Sequence, residues 1–148
     1  MAEYRGCLLP EDLYYDLDYV WLRQGGDGLV TVGVTDPAQT MGGRIVAINV
    51  KKVGKVIAAS RHIATLESGK WIGGIPIPFS GTIEERNEAL MEEPELVNVD
   101  PYGAAWLARI RPDDPASALQ GLSTGEAAIE ALRAWIDRYD LECMRCSK

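Results

Sequence analysis

Thr65-Leu66-Glu67-Ser68-Gly69-Lys70-Trp71-Ile72-Gly73-Gly74 sets one lysine among glycines that permit a tight chain reversal. On either side, His62 to Glu67 and Ile75 to Phe79 are short, β-branched runs that read as strands. The segment is therefore a β-hairpin over about 62–79, with Lys70 close to its tip. A lysine there is solvated, and its amine is within reach of another enzyme. Taken alone the pattern decides the local fold and not the function, because lysines in surface turns are common and usually only solubilise.

Outward from the hairpin, the chain reads as more short strands. Tyr19 to Arg23 is one, the turn Gly25-Gly26-Asp27-Gly28 folds it back, and Leu29 to Val34 follows. Thr35-Asp36-Pro37 reads as a cap with Pro in the first turn of a short helix that ends near Gly42-Gly43. Arg44 to Val50, Val53 to Ile57, Thr82 to Glu84 and Ala104 to Ile110, the last halted by Pro112, complete the strand candidates. Many short strands with Gly and Pro turns predict a mainly β sandwich or flattened barrel. Near the C-terminus, Ser123 with Glu126 matches a capping box, and Ile129, Leu132, Trp135, Ile136 and Tyr139 recur at helical spacing. This predicts an amphipathic helix over about 124–142, packed on the sheet. Asp113-Asp114-Pro115 is a candidate start for a shorter helix before it.

The 148 residues fit one domain, 1–148, with no tandem repeat and no low-complexity tract. Fifteen Lys and Arg against 22 Asp and Glu leave a net charge of −7, which argues against a nucleic-acid partner. No run of apolar residues has the length of a membrane span, and the N-terminus lacks the pattern of a signal peptide, so a cytoplasmic protein without membrane association is expected. Three cysteines without an export signal predict no disulfide framework. Cys7 reads as a small packing residue. Cys143-Met144-Arg145-Cys146 reads as a candidate redox pair of thiols, with Arg145 favouring the thiolate, on a tail prone to fray. His62 is the one histidine, so a catalytic triad and a multi-histidine metal site are both excluded, and a sheet-edge position is expected for it. Glu84-Glu85-Arg86 and Glu92-Glu93 read as solvated surface. No glycine run leads into a phosphate-loop Lys-Ser or Lys-Thr.

From about Tyr15 to the C-terminal helix the chain resembles the H protein of the glycine cleavage system. Glu67-Ser68-Gly69-Lys70 resembles that family's Glu-Ser-Val-Lys, in which the lysine carries lipoate. Glu67 three residues before Lys70, and Gly81 eleven after it, resemble the family's lipoylation-site context. Thr31 to Gln39, Phe79 to Ile83, Glu95-Leu96-Val97-Asn98, Pro101-Tyr102 and Trp106 resemble further family blocks in the same order. The resemblance implies two antiparallel sheets in a sandwich, the lipoyl or barrel-sandwich hybrid fold, with a C-terminal helix and Lys70 at a hairpin tip. It also implies lipoate as the covalent cofactor, a lipoylating ligase or transferase as a partner, and a carrier with no catalytic residues and no metal. Tethering the arm raises its effective concentration at each docked enzyme.

Two departures bear on the cargo. Ordinary H proteins have His-Glu before the first Trp, where this chain has Tyr19-Val20 before Trp21, so a carboxylate able to pair with a methylamine cation is missing. Trp71 directly follows Lys70, where a small residue is usual. Tyr19, Val20 and Trp71 are therefore candidate arm or docking contacts; for Trp71 a ring tucked back onto the sheet is the alternative. These departures resemble the lipoate-binding proteins of bacterial sulfur oxidation, which work with a heterodisulfide-reductase-like complex. The expected function is a lipoyl carrier in cytoplasmic sulfur oxidation, moving sulfur-containing intermediates and electrons on Lys70. The alternatives are the H protein of glycine cleavage, carrying an aminomethyl group between the glycine cleavage enzymes, and an adaptor that is never lipoylated. Biotin carriage fits less well, since no Met-Lys-Met surrounds Lys70.

Overall fold

The computed structural model describes residues 2–17 and 19–144. In chain order the strands before the first helix are β1 (Ala2–Tyr4), β2 (Cys7–Leu9), β3 (Tyr14–Asp16), β4 (Val20–Gln24) and β5 (Val30–Val34). Helix α1 (Asp36–Gly42) leads into β6 (Ile45–Val50), β7 (Val56–Ile57), β8 (His62–Ser68), β9 (Ile72–Pro76) and β10 (Gly81–Arg86). Then come the short helices α2 (Glu88–Glu92) and α3 (Leu96–Val99), strands β11 (Ala108–Pro112) and β12 (Ser123–Thr124), and helix α4 (Gly125–Arg138). All strand pairs are antiparallel. The large sheet runs β12-β3-β4-β5-β11-β10-β7, a second sheet runs β6-β8-β9, and β1-β2 stands as a separate hairpin. The fold is thus mainly β and sandwich-like with a C-terminal helix, as the strand spacing predicts.

Alternation along β4 divides the interior in two. Val20 and Leu22 join the core between the sheets, with Val32, Leu66, Ile75, Ile83 and Ile110. Trp21 points the other way, into a second cluster with Cys7, Leu9, Leu13, Tyr15, Tyr102, Ile129, Leu132 and Ile136. Successive residues of a strand face opposite sides, so one strand serves both cores. Trp21 is fully buried, lies over Gly33, its register partner on β5, and donates its indole N–H to the Pro101 carbonyl at 2.9 Å. Each large apolar side chain so buried contributes about 1.5–3 kcal/mol.

Several boundaries differ from the sequence expectation. The strand after Lys70 begins at Ile72 and ends at Pro76, rather than spanning Ile75 to Phe79, because Gly73 and Gly74 pair with Leu66 and Thr65 and continue the ladder. The expected strand Ala104 to Ile110 is shifted to Ala108–Pro112, with Pro112 tolerated at its end. No capping box forms at α4. Ser123 and Thr124 pair with Tyr15 and Tyr14 as a short strand, and the Thr124 hydroxyl donates to the Leu13 carbonyl at 2.8 Å. Asp113-Asp114-Pro115 opens turns and not a helix. His62 begins β8, the central strand of its sheet, so it stands at the end of an inner strand and not on a sheet edge. No helix of the described residues is long and apolar enough to cross a membrane.

The cysteine expectation is overturned. Cys7 and Cys143 form a disulfide, with Cα atoms 4.8 Å apart across a sequence separation of 136. Cys7 does pack in a core, fully buried, but as half of a cross-link. Cys143 is therefore not the partner of a free thiol three positions along the tail; Cys146 lies outside the described residues. The tail reaches β1-β2 because that hairpin turns through Arg5 and Gly6, both in the left-handed region at φ 50° and 80°. The Cys143 amide donates to the Arg5 carbonyl at 2.9 Å, and the Arg5 guanidinium pairs with Asp140 at 2.6 Å and Glu142 at 3.0 Å.

Candidate functional site

Lys70 stands at the tip of the β8-β9 hairpin. The Ser68 amide donates to the Trp71 carbonyl at 2.7 Å, closing the turn, and the Lys70 amide donates to the Ser68 hydroxyl at 3.3 Å. The side chain is exposed and its ammonium makes no hydrogen bond or ion pair with any described residue. It lies along Gly43, the residue after α1, where an added Cβ would stand 3.0 Å from Lys70 Cε. Gly43 also has φ 79°, a conformation that side chains rarely adopt, so the backbone calls for glycine there.

Beside Lys70 opens a cleft of about 530 Å³. Tyr19, Met41, Ile45 and Trp71 line it near the hairpin, and Trp135 reaches it from α4. Among the described residues that line it, Lys70 is the one charged group. The Tyr19 phenol is held above its ordinary pKa by burial and, secondarily, by the nearby Asp16 carboxylate, so it is neutral at physiological pH. Trp71 is 43 % exposed, with its ring lying over Gly73. The ring is therefore laid back on the strand while remaining partly exposed.

The floor of the cleft is held by α1. Thr35 caps it, its hydroxyl accepting the Ala38 amide at 3.2 Å, with Pro in the first turn, as the sequence predicts. Asp36, fully buried, accepts the Leu8 amide at 2.8 Å and the Gln39 side-chain amide at 2.8 Å. At the other end Asn98, on α3, accepts the Ile45 amide at 2.8 Å and donates to the Gly43 carbonyl and the Gln39 side-chain oxygen, each at 2.9 Å. Sequence reasoning assigned neither Gln39 nor Asn98 a role in the site, and it missed Trp135. The Glu95 to Asn98 block was the available signal for Asn98, without any indication of its target.

The remaining candidates scatter. Glu67 is exposed on β8, opposite Ile72 and Ala47. Gly81 is buried on β10 between β7 and β11, where a Cβ would meet the Arg111 carbonyl oxygen at 2.6 Å. Val20 is fully buried in the core and presents no surface to an arm or a partner, which removes it as a contact. Among the described residues no group of three or more His, Cys, Asp or Glu is placed to hold a metal.

Residues 13–134 match the family model described as glycine cleavage H-protein. The chain is 46% identical over 144 residues to the glycine cleavage system H protein 2 of Aquifex aeolicus, covering 97% of this chain and 89% of that one. It is 42% identical to the probable glycine cleavage system H protein 2 of Sulfolobus acidocaldarius, covering 94% and 95% of the two chains. The crystal structure of a glycine cleavage system H protein from Mycobacterium marinum superposes with a TM-score of 0.71 at 29% identity, over 90% of this chain and all of that one.

Proposed function

The chain belongs to the glycine cleavage H-protein family, and from that we propose that it is a lipoyl carrier with Lys70 as the attachment residue. Proteins of this family are carriers and not catalysts, and they hold lipoate covalently on a lysine. The observation that carries the assignment to Lys70 is its setting: an unpaired amine at a hairpin tip, lying beside an apolar cleft. A ligase or transferase needs such an amine free of hydrogen bonds, and the cleft offers an acyl chain a place out of water. Once bound, the lipoyl group supplies a disulfide that takes up two electrons to become a dithiol. Residues 1–148 act as one carrier unit in the cytoplasm; the exposed Glu67 belongs to the context that the lipoylating enzyme reads, and the buried Gly81 contributes to that context only by letting β10 pack closely. Tyr19 and Trp71 border the arm and contribute to docking.

For the cargo, the names of the relatives favour an aminomethyl group passed between glycine cleavage enzymes. One observation favours a second reading. Among the described residues the cleft lining contributes Tyr19, a neutral phenol, and no carboxylate, so the lining itself offers a cationic methylamine no direct ion pair. A neutral, sulfur-containing cargo exchanged with a heterodisulfide-reductase-like complex suits such a cleft better.

Intact mass and peptide mapping of protein purified from its own host test the carrier. One lipoyl group on Lys70, absent from Lys70→Arg, is the expected result, and an unmodified Lys70 in cells that lipoylate other proteins sinks it in favour of an adaptor. Reconstitution with glycine decarboxylase and aminomethyltransferase then decides the cargo. Turnover of glycine at a rate typical of H proteins selects the aminomethyl reading, and its absence from fully lipoylated protein selects sulfur.

A further inference from the structure

The Cys7–Cys143 disulfide is tied to the cleft on both of its flanks. Leu8, next to Cys7, donates its amide to Asp36, and Met144, next to Cys143, accepts the Gln39 side-chain amide at 2.9 Å. Asp36 and Gln39 are on α1, and Gln39 lines the cleft that Lys70 borders. Gly43, against which the Lys70 side chain lies, is one helical turn beyond Gln39 and donates its amide to the Gln39 carbonyl at 3.1 Å. One turn rises about 5.4 Å, and adjacent Cα atoms are about 3.8 Å apart. The contact path from Gly43 through Gln39 and Met144 to Cys143 is therefore one helical turn, one side chain, one hydrogen bond and one residue long, comparable to a lysine extended by an eight-carbon acyl chain. The two cysteines are unequally buried: Cys7 is fully buried, whereas Cys143 is only half-buried.

We propose that Cys7–Cys143 is a second dithiol–disulfide centre that exchanges electrons with the arm on Lys70, Cys143 being the sulfur attacked. The inference rests on the lipoyl reading of Lys70. A thiolate of the reduced arm forms a bond to Cys143 Sγ, the Cys7–Cys143 bond breaks, and Cys7 leaves as a thiolate that takes a proton. The second arm thiolate then attacks the arm sulfur of that mixed disulfide and closes the ring, and Cys143 leaves as the thiolate. Two electrons and two protons pass from the arm to the cysteine pair, and no other oxidant or reductant takes part. The carrier thereby holds a second pair of electrons, stored away from the hairpin tip that partners contact. Opening the bond also removes one of the ties on the tail whose Met144 carbonyl holds Gln39, which links the redox state of the pair to the wall of the cleft.

Lipoylated protein, its loading checked by intact mass, is treated without oxygen with NADH and a dihydrolipoyl dehydrogenase, acid-quenched, alkylated and mapped. Alkylated Cys7 and Cys143 are expected, with about twice the NADH consumed by the lipoylated Cys7→Ser/Cys143→Ser variant. Lys70→Arg should keep the disulfide closed under the same treatment. Free dihydrolipoamide should open the disulfide of Lys70→Arg, but only at a concentration about 100-fold above that of the tethered arm. A reduced arm beside an intact Cys7–Cys143 peptide overturns the proposal and leaves the lipoyl reading standing. So does equal opening in Lys70→Arg by the dehydrogenase alone, or a disulfide that free dihydrolipoamide in excess leaves closed. Failure of the lipoyl reading shows separately, as a missing mass at Lys70, and the intramolecular exchange falls with it.

Discussion

Arg5 and Lys70 are both cations at the turns of short antiparallel hairpins, and their surroundings differ completely. Arg5 gathers Asp137, Asp140 and Glu142, and these contacts, the hydrogen bond it donates to Asp140 first, hold its guanidinium firmly protonated. Beside it the Tyr4 hydroxyl donates to Asp137 and the Cys143 amide reaches the Arg5 carbonyl, so the turn fastens the C-terminal tail. Lys70 has no such partner among the described residues and lies along the bare backbone of Gly43. One turn is built to be held, the other to be reached. An amine destined for acylation must lose its proton and stay accessible, and an ion pair would oppose both.

The contrast can be broken most directly at Lys70. Lys70→Arg should remove the lipoyl mass entirely while moving the unfolding free energy by no more than about 0.5 kcal/mol, as an unpartnered surface side chain should. Denaturant titration read beside intact mass checks both, and a substantial loss of stability would show that Lys70 has a structural contact. The opposite pattern is expected at the other turn. Cys7→Ser/Cys143→Ser should cost about 2–5 kcal/mol, measured without reductant, because the bond closes most of the chain into one loop. The same variant should still be lipoylated on Lys70 by a purified ligase, and a failure to load would erase the separation between the two ends.

A smaller effect tests the platform that joins them. Asn98→Ala orphans the Ile45 amide and the Gly43 carbonyl, and a cost of about 1–3 kcal/mol is expected, with faster hydrogen exchange at Ile45. The smallest effect at neutral pH concerns the tyrosines. Burial raises the pKa of Tyr15 strongly and that of Tyr19 less, so both keep their protons in the fold after the unfolded chain has begun to release them. The native state then binds more protons, and the slope of stability against pH is negative. Stability should be level from neutral pH to about 10 and fall above it. Tyr15→Phe should flatten that fall more than Tyr19→Phe, which equilibrium unfolding at a series of alkaline pH values would check.

Much of the site was legible along the chain. The run from Thr65 to Gly74 shows the hairpin and its lysine, and Thr35-Asp36-Pro37 shows the start of α1, because turns and caps depend on neighbouring residues. The period of Ile129, Leu132 and Ile136 shows α4 and its buried face for the same reason. The capping box failed where a distant strand competed for the same residues, as β3 took Ser123 and Thr124 into its ladder.

The short strands, the amphipathic helix and the lysine that follows Gly69 are thus all legible along the chain. Each is written within a few consecutive residues, where backbone sterics and periodicity act. The tertiary structure alone decided that Cys143 bonds to Cys7 and not to a thiol on its own tail, that Trp135 reaches the cleft from the far end of the chain, and that Asn98 secures Gly43 beneath Lys70. Those pairings join residues tens to more than a hundred positions apart. They are set by which faces of β4 and α4 bury against which core, and no local pattern encodes that choice.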